Sequence, residues 1–340
     1  MIKLIETIGH DRHAPEVEYD HDRVIPYRET PNRAELIRDY LLELGLAEIF
    51  APQISDPSPS LSAIHTLPYL EALPRLSQAA SEAGRYLYPY IFPVRPSMER
   101  IPDLPFGLLG RHSIDVGSPV GPGTWSAAVA AAQAAIAAAD LLVTDPTCLP
   151  YALCRPPGHH SGRDFMGGYC YLNNAAAAAQ RLKSRGRVAI IDIDYHHGNG
   201  TQDIFWDDPD VFFLSLHGDP QFEYPNYAGF SDERGGVLAP GTILNCPLPR
   251  LTNADQYLAT LTRGLEAVIR YSPATIVVSL GFDTYRDDPL SSFALDLDAF
   301  PKIAHRIASL HLPTLLIQEG GYASDVLPRL AAAFLEGWGI

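Results

Sequence analysis

Val188-Ala-Ile-Ile-Asp192-Ile-Asp194-Tyr-His196-His-Gly-Asn199-Gly-Thr-Gln202 is the stretch from which the rest of this sequence is read. An apolar run rich in β-branched residues breaks off into two aspartates, two histidines and a glycine turn. That predicts a buried strand over Val188 to Asp194 with polar groups at its carboxyl end. Val211 to His217, Thr275 to Gly281 and Thr314 to Glu319 have the same character. Asn173 to Ser184, Asn253 to Tyr271 and Asp298 to His311 carry apolar residues at helical spacing, and Trp125 to Asp140 is almost pure alanine, a strong helix former. Alternating strands and helices predict an α/β fold, a single domain whose central, mostly parallel sheet is flanked by helices on both faces. In such sheets ligands bind beyond the carboxyl ends of the strands, so chemistry is expected just after each one.

The chain has 340 residues, 46% hydrophobic and 19% charged, which is enough for one large domain over 1–340. Its formal net charge of −15 at pH 7 argues against nucleic acid and against anionic membranes, because the Lys/Arg footprint is missing. The acidity serves either solubility or attraction of a cationic substrate. No apolar run follows a basic N-terminal segment, and no unbroken stretch of about twenty apolar residues occurs, so a cytoplasmic protein without a membrane partner is expected. Cys148, Cys154, Cys170 and Cys246 show no CxxC spacing and are expected to be reduced and buried. From about Gly84 to Gly123 the pattern lapses. Prolines at 89, 93, 96, 102, 105, 119 and 122 without periodicity predict a long, ordered loop insertion acting as a lid or subunit contact.

The strand ends carry the candidate chemistry. Asp192 and Asp194 share a strand face, and Asp194 and His196 come together where the chain turns, so both can grip one metal. The strand from Thr275 delivers Asp283 in the same way. Two carboxylates and one imidazole leave a coordination position open, as a catalytic site requires, with zinc the first choice and ferrous iron the alternative. A second reading stays open, in which each acid caps the helix after its strand. His159 and His160 follow a rigid Pro-Pro-Gly turn and suit general acid/base work near neutral pH. Gly320 and Gly321 allow close backbone approach, and the Tyr322 phenol after them can donate to a developing oxyanion.

Taken together, Arg155-Pro-Pro-Gly-His-His160, Gly168-Tyr-Cys-Tyr-Leu-Asn-Asn174, Asp192 through Gln202, Gly281-Phe-Asp283 and Gln318-Glu-Gly-Gly-Tyr322 resemble the zinc-dependent histone deacetylase family, which includes the bacterial acetylpolyamine amidohydrolases. A weaker likeness at Asn32-Arg33-Ala34-Glu35 extends it toward the N-terminus. The resemblance implies an arginase-like α/β domain with Asp194, His196 and Asp283 on the metal. It implies His160 as general base and then acid, His159 as its electrostatic partner, Asp192 orienting His159, and Asn199 contacting His160. Some family members carry Asp where this chain has Asn199, which leaves His160 less strongly held in its charged form. Tyr169 and Tyr224 become the walls of a narrow tunnel, the Gly168 carbonyl meets the substrate amide, Leu290 lies near the rim, and Arg33 lies in the foot pocket where acetate leaves. The resemblance further implies bound potassium, first at Asp192, Asp194, His196, Ser215 and Leu216, then at Phe205, Asp208, Val211 and Thr242.

Tyr19 to Glu35, the proline-rich insertion and Gly121-Pro-Gly-Thr-Trp125 are more similar to the acetylpolyamine branch. That implies a homodimer paired through the insertion, with an entrance narrowed to favour acetylated polyamines or similar small cationic acetamides. Glu99, Asp103 and Asp115 are the insertion acids that could meet a distal ammonium. Deacetylation of acetyl-lysine in proteins or peptides is the nearer alternative. A non-catalytic polyamine-binding protein is the more distant one.

Overall fold

The computed structural model describes residues 1–20, 22–51, 55–92 and 101–340. In chain order the elements are β1 (Ile2–Glu6), β2 (Val17–Asp20), β3 (Arg23–Pro26), α1 (Asn32–Glu43), β4 (Ala47–Ile49), α2 (Ser58–Ile64), α3 (Leu67–Ala83), α4 (Pro105–Arg111), α5 (Thr124–Thr144) and β5 (Pro150–Leu153). They continue with α6 (Asn174–Leu182), β6 (Val188–Asp192), α7 (Asn199–Phe205), β7 (Val211–Gly218), β8 (Ile243–Leu248), α8 (Ala254–Tyr271), β9 (Thr275–Leu280), α9 (Ala299–Ala308), β10 (Thr314–Gln318) and α10 (Leu327–Gly337).

Eight strands pair in the order β4-β1-β5-β10-β9-β6-β7-β8, every pair parallel, while β2 and β3 form a separate antiparallel hairpin. Both faces of the sheet are covered. Along β6, Val188 and Ile190 point into one apolar cluster with residues of α5 and α6, whereas Ala189 and Ile191 point into another with residues of α8, α9 and α10. This alternation is the period-two geometry of a strand buried on both sides.

The four expected strands and four expected helices are present, with ends shifted by a few residues. The strand expected over Val188 to Asp194 stops at Asp192, because the Asp192 carboxylate accepts the Asp194 N–H at 3.2 Å and turns the chain out of the ladder. The insertion is more regular than its prolines suggest. Leu87 and Val120 form an antiparallel bridge, and Pro105 opens α4 from extended Leu104, the position where a proline's missing N–H costs nothing. Residues 93–100 lie outside the described residues, and Pro93, Pro96 and Glu99 with them. The cysteines are all free, but only Cys154 and Cys170 are buried; Cys148 and Cys246 are partly exposed. Strands β1, β4 and β8 escape sequence reading because they are short or interrupted, and Pro247 is accommodated because β8 is an edge strand.

Among the described residues, α5 is the one helix long and apolar enough to cross a bilayer. Here it packs inside the fold. Ala127, Ala131, Ala135 and Ala138 are fully buried, and α6 answers with Ala175 to Ala179, equally buried, so two alanine faces close on each other. Such a contact has no room for a larger side chain. Ala135→Leu should therefore lower stability by about 1–3 kcal/mol, read from the midpoint of urea unfolding; an unchanged midpoint would show slack between these helices.

Candidate active site

Strands β5, β10, β9 and β6 lie side by side, so the four segments that follow them meet at one edge of the sheet. The ligand atoms of Asp194, His196 and Asp283 fall within 4.8 Å of one another. His196 Nδ1 stands 3.0 Å from Asp283 Oδ2 and 3.3 Å from Asp194 Oδ1. Backbone amides fix the remaining oxygens: Gly320 N–H donates to Asp194 Oδ2 and Tyr195 N–H to Asp283 Oδ1, both at 2.8 Å. Helix capping is excluded for both acids, since Gly198 precedes α7 and no helix begins after Asp283 until Ala299.

These residues fit a metal. Burial and the charge of Asp194 push the Asp283 carboxyl up, while His159 and His196 outweigh burial to hold Asp194 low. Two buried carboxylates this close call for positive charge between them. Space for it is kept by absent side chains: a Cβ at Gly281 would lie 2.1 Å from Asp194 Oδ2, and one at Gly320 2.5 Å from Asp283 Oδ2. Two oxygens and an imidazole nitrogen are a donor set for zinc or ferrous iron with an open position.

The two histidines of the Pro-Pro-Gly turn have opposite surroundings. His159 Nδ1 lies 3.1 Å from Asp192 Oδ2, and although burial alone would lower its pKa, Asp194 and Asp192 raise it to about 10. His160 is kept well below the usual histidine range by burial and by the charges of His159 and His196. Its Nδ1 lies 2.7 Å from Asn199 Oδ1, and Asn199 Nδ2 donates to the Tyr227 hydroxyl at 2.9 Å. With the amide in that orientation, His160 carries its proton on Nδ1 and leaves Nε2 free to accept one. A neutral imidazole with a free ring nitrogen therefore stands beside a charged one.

His160, Gly168, Tyr169, His196, Tyr224, Leu290 and Tyr322 line one cavity of about 310 Å³. The rings of Tyr169 and Tyr322 lie 5.6 Å apart, and Tyr224 meets His160 edge-on at 4.8 Å. Gly168 adopts a φ of 51°, and a Cβ there would lie 2.3 Å from His160 Cδ2, so only glycine lets the wall come this close. A larger groove of 1060 Å³, lined among others by Leu258, Lys302, His305 and Trp338, gathers no comparable donor set.

Several participants were not legible in the sequence. Glu18 accepts from the Tyr169 hydroxyl at 2.9 Å and pairs with Arg28 at 2.8 Å, fixing one wall from the β2–β3 hairpin. Asp115 does reach the tunnel, but its carboxylate is committed to the walls: it accepts from Gly117 N–H (2.7 Å), Gly168 N–H (2.8 Å) and the Tyr224 hydroxyl (2.5 Å). Asp103 is exposed and does not line the cavity, and Glu99 lies outside the described residues. Arg33 lies over the Tyr322 ring at 4.7 Å and donates to the carbonyls of Gly321 (2.6 Å) and Glu319 (2.8 Å). Behind it, buried Glu29 accepts from Arg33 at 2.7 Å and stands 3.0 Å from Arg155 Nε. Glu29 to Arg33 is a helix-type spacing of four, the one sequence signal for this triad.

The expected potassium ligands occupy two places. Asp192 pairs in register with Ser215, whose neighbour is Leu216, beside the cluster of Asp194 and His196. Phe205, Asp208 and Val211 share the turn from α7 into β7, with Asp208 N–H donating to the Phe205 carbonyl at 3.1 Å. The Asp208 carboxylate is already paired with Lys183 at 2.8 Å, and the Thr242 hydroxyl donates to the Ala239 carbonyl.

The profile of the histone deacetylase domain matches residues 27–338. Acetylpolyamine amidohydrolase 2 of Pseudomonas aeruginosa is 40% identical over 339 residues, covering 97% of this chain and 96% of that protein. The acetylpolyamine amidohydrolase of Mycoplana ramosa is 38% identical, with 99% of each chain covered. The crystal structure of an acetylpolyamine aminohydrolase from Burkholderia pseudomallei is similar with a TM-score of 0.92 at 37% identity, over 99% of this chain and 98% of that one. A parallel sheet that gathers paired histidines, two aspartates and a terminal tyrosine along its carboxyl edge thus comes with a match over nearly the whole sequence, and the chain belongs to the histone deacetylase family.

Proposed function

We propose that this protein is an amidohydrolase that removes acetyl groups from acetylated polyamines or similar small cationic amines, releasing acetate. The observation that carries this reading is a single tunnel in which His160 and Tyr322 open onto the cluster of Asp194, His196 and Asp283. Those three residues would hold zinc, with ferrous iron the alternative. When bound, such a cation polarises a carbonyl and acidifies water. The rest of the chemistry belongs to the chain. His160, neutral and with Nε2 free, takes a proton from the attacking water and returns it to the leaving amine. His159, held charged against Asp192, stabilises negative charge developing nearby. The Tyr322 hydroxyl donates to the oxyanion, and the Tyr169 and Tyr224 rings hold the alkyl chain so that the acetyl group reaches both.

The substrate assignment draws on the names of the most similar proteins, on the tyrosine-lined cavity of about 310 Å³ and on the acidity of the chain. Glu18, Asp20 and Asp115 all border the cavity, against one arginine, Arg28. A homodimer formed through the insertion is part of the same proposal, supported by its exposed apolar residues Tyr90, Ile91, Leu104 and Phe106.

Side-by-side turnover of acetylputrescine, acetylspermidine and an acetyl-lysine peptide tests the substrate. The polyamines should exceed the peptide in kcat/KM by at least about tenfold, and the reverse order would favour the acetyl-lysine reading. Chelation should abolish turnover and added zinc should restore it; full activity in verified metal-free protein would exclude the metal. Light scattering should give the mass of two chains for the wild type and of one for Leu104→Asp, and a monomeric wild type would remove the dimer.

A further inference from the structure

Tyr322 follows two glycines, Gly321 among them at a φ of 116°, so the turn that carries the phenol has little stiffness of its own. Arg33 holds that turn by its carbonyls, at Glu319 and Gly321. Its amides are held by a residue from another segment. Asp288, only 5% exposed, accepts the Tyr322 N–H at 2.6 Å and the Ala323 N–H at 3.1 Å on Oδ2, while Oδ1 accepts the Leu290 N–H at 3.0 Å. Three backbone N–H groups thus replace the water that the buried carboxylate has lost, and the same bonds tie together the two segments that carry them. Leu290 and Tyr322 both line the tunnel, so one side chain anchors both.

We propose that Asp288 is a positioning residue for the reaction: its carboxylate pins the turn at Tyr322 to the loop of Leu290, so that the phenol keeps its place over the donor cluster while the tunnel wall stays closed. The inference rests on the deacetylase reading above. Asp288→Asn preserves the shape but presents an NH₂ group to at least one of the three amides, so at least one bond is lost.

The test is a double-mutant cycle on the metal-loaded enzyme with acetylputrescine, combined with amide hydrogen exchange. Asp288→Asn should lower kcat about ten- to a hundredfold, with KM moving less than about threefold. Tyr322→Phe should lower kcat about a hundred- to a thousandfold. The double variant should match Tyr322→Phe within about twofold, because a group that acts through the phenol has nothing left to act on. Exchange should rise at least about tenfold in Asp288→Asn both at 320–323 and at Leu290 and Ser291, with the rest of the fold unmoved. Multiplicative losses in the double variant, an unchanged kcat, or exchange rising throughout the protein would overturn the role. Asp288→Glu, which keeps the charge, carries the same cycle if the Asn variant does not fold; failure of both to fold makes Asp288 a folding determinant and overturns the proposal. A wild type inert on every acetamide sinks the deacetylase reading itself, whereas an active wild type with multiplicative losses sinks the role of Asp288 alone.

Discussion

Asp192, Asp194, Asp283 and Glu319 are shut away from solvent at or just beyond the ends of neighbouring parallel strands, with Glu29 equally buried behind them. A carboxylate in such a place stays ionised only if charge or hydrogen bonds replace the water it has lost. Much of the architecture around the site answers that demand. Asp192 is met by His159, Asp194 by His159, His196 and the Gly320 amide, Asp283 by His196 and the Tyr195 amide, and Glu29 by Arg33 and Arg155. Glu319 accepts the amides of Gly158 and His159, and burial outweighs them and the charge of His159 to push its pKa up to about 7. The acids therefore draw the β5, β6, β9 and β10 segments toward one point, and the glycines at 281 and 320 let the backbone reach it.

The same compensation separates the two histidines. His159 takes the charge of the acids, and that charge, together with burial, keeps His160 neutral. A neutral and a charged imidazole therefore arise from adjacent residues in one rigid turn, without needing different elements to deliver them. The walls obey a related rule. Tyr169 and Tyr224 are tied by their hydroxyls to Glu18 and Asp115, from segments that lie outside the four strand ends. The tunnel is thus shaped by the N-terminal hairpin and the insertion, whereas the chemistry beneath it belongs to the sheet.

That division explains what the sequence could disclose. The central strands were readable because successive residues such as Val277 and Val278 are buried on opposite faces and form dense β-branched runs. Asp194, His196 and Asp283 could be located because a strand end fixes where its next residues go. Asp288, Glu18 and Glu29 could not, since each acts on groups contributed from elsewhere: Asp288 on the amides of Tyr322 and Ala323, Glu18 on the hydroxyl of Tyr169, Glu29 on the guanidinium of Arg155. Long-range pairing of this kind leaves no periodicity. Asp115 was visible as an acid on the insertion, but only its three accepted hydrogen bonds reveal that it supports the walls.

The strand order has a temporal side. β9 and β10 follow the other strands of the sheet in chain order, yet they take its middle, between β5 and β6. Until they leave the ribosome, no strand links β5 to β6, and the two halves of the edge that bears His159 and Asp194 cannot be brought into register. A nascent chain lacking them would display two unpaired, apolar strand flanks, the kind of surface that chaperones cover. The edge that bears His159 and Asp194 is therefore completed only once β9 and β10 are in the sheet, and the three-residue cluster is whole only when Asp283 has followed β9 there.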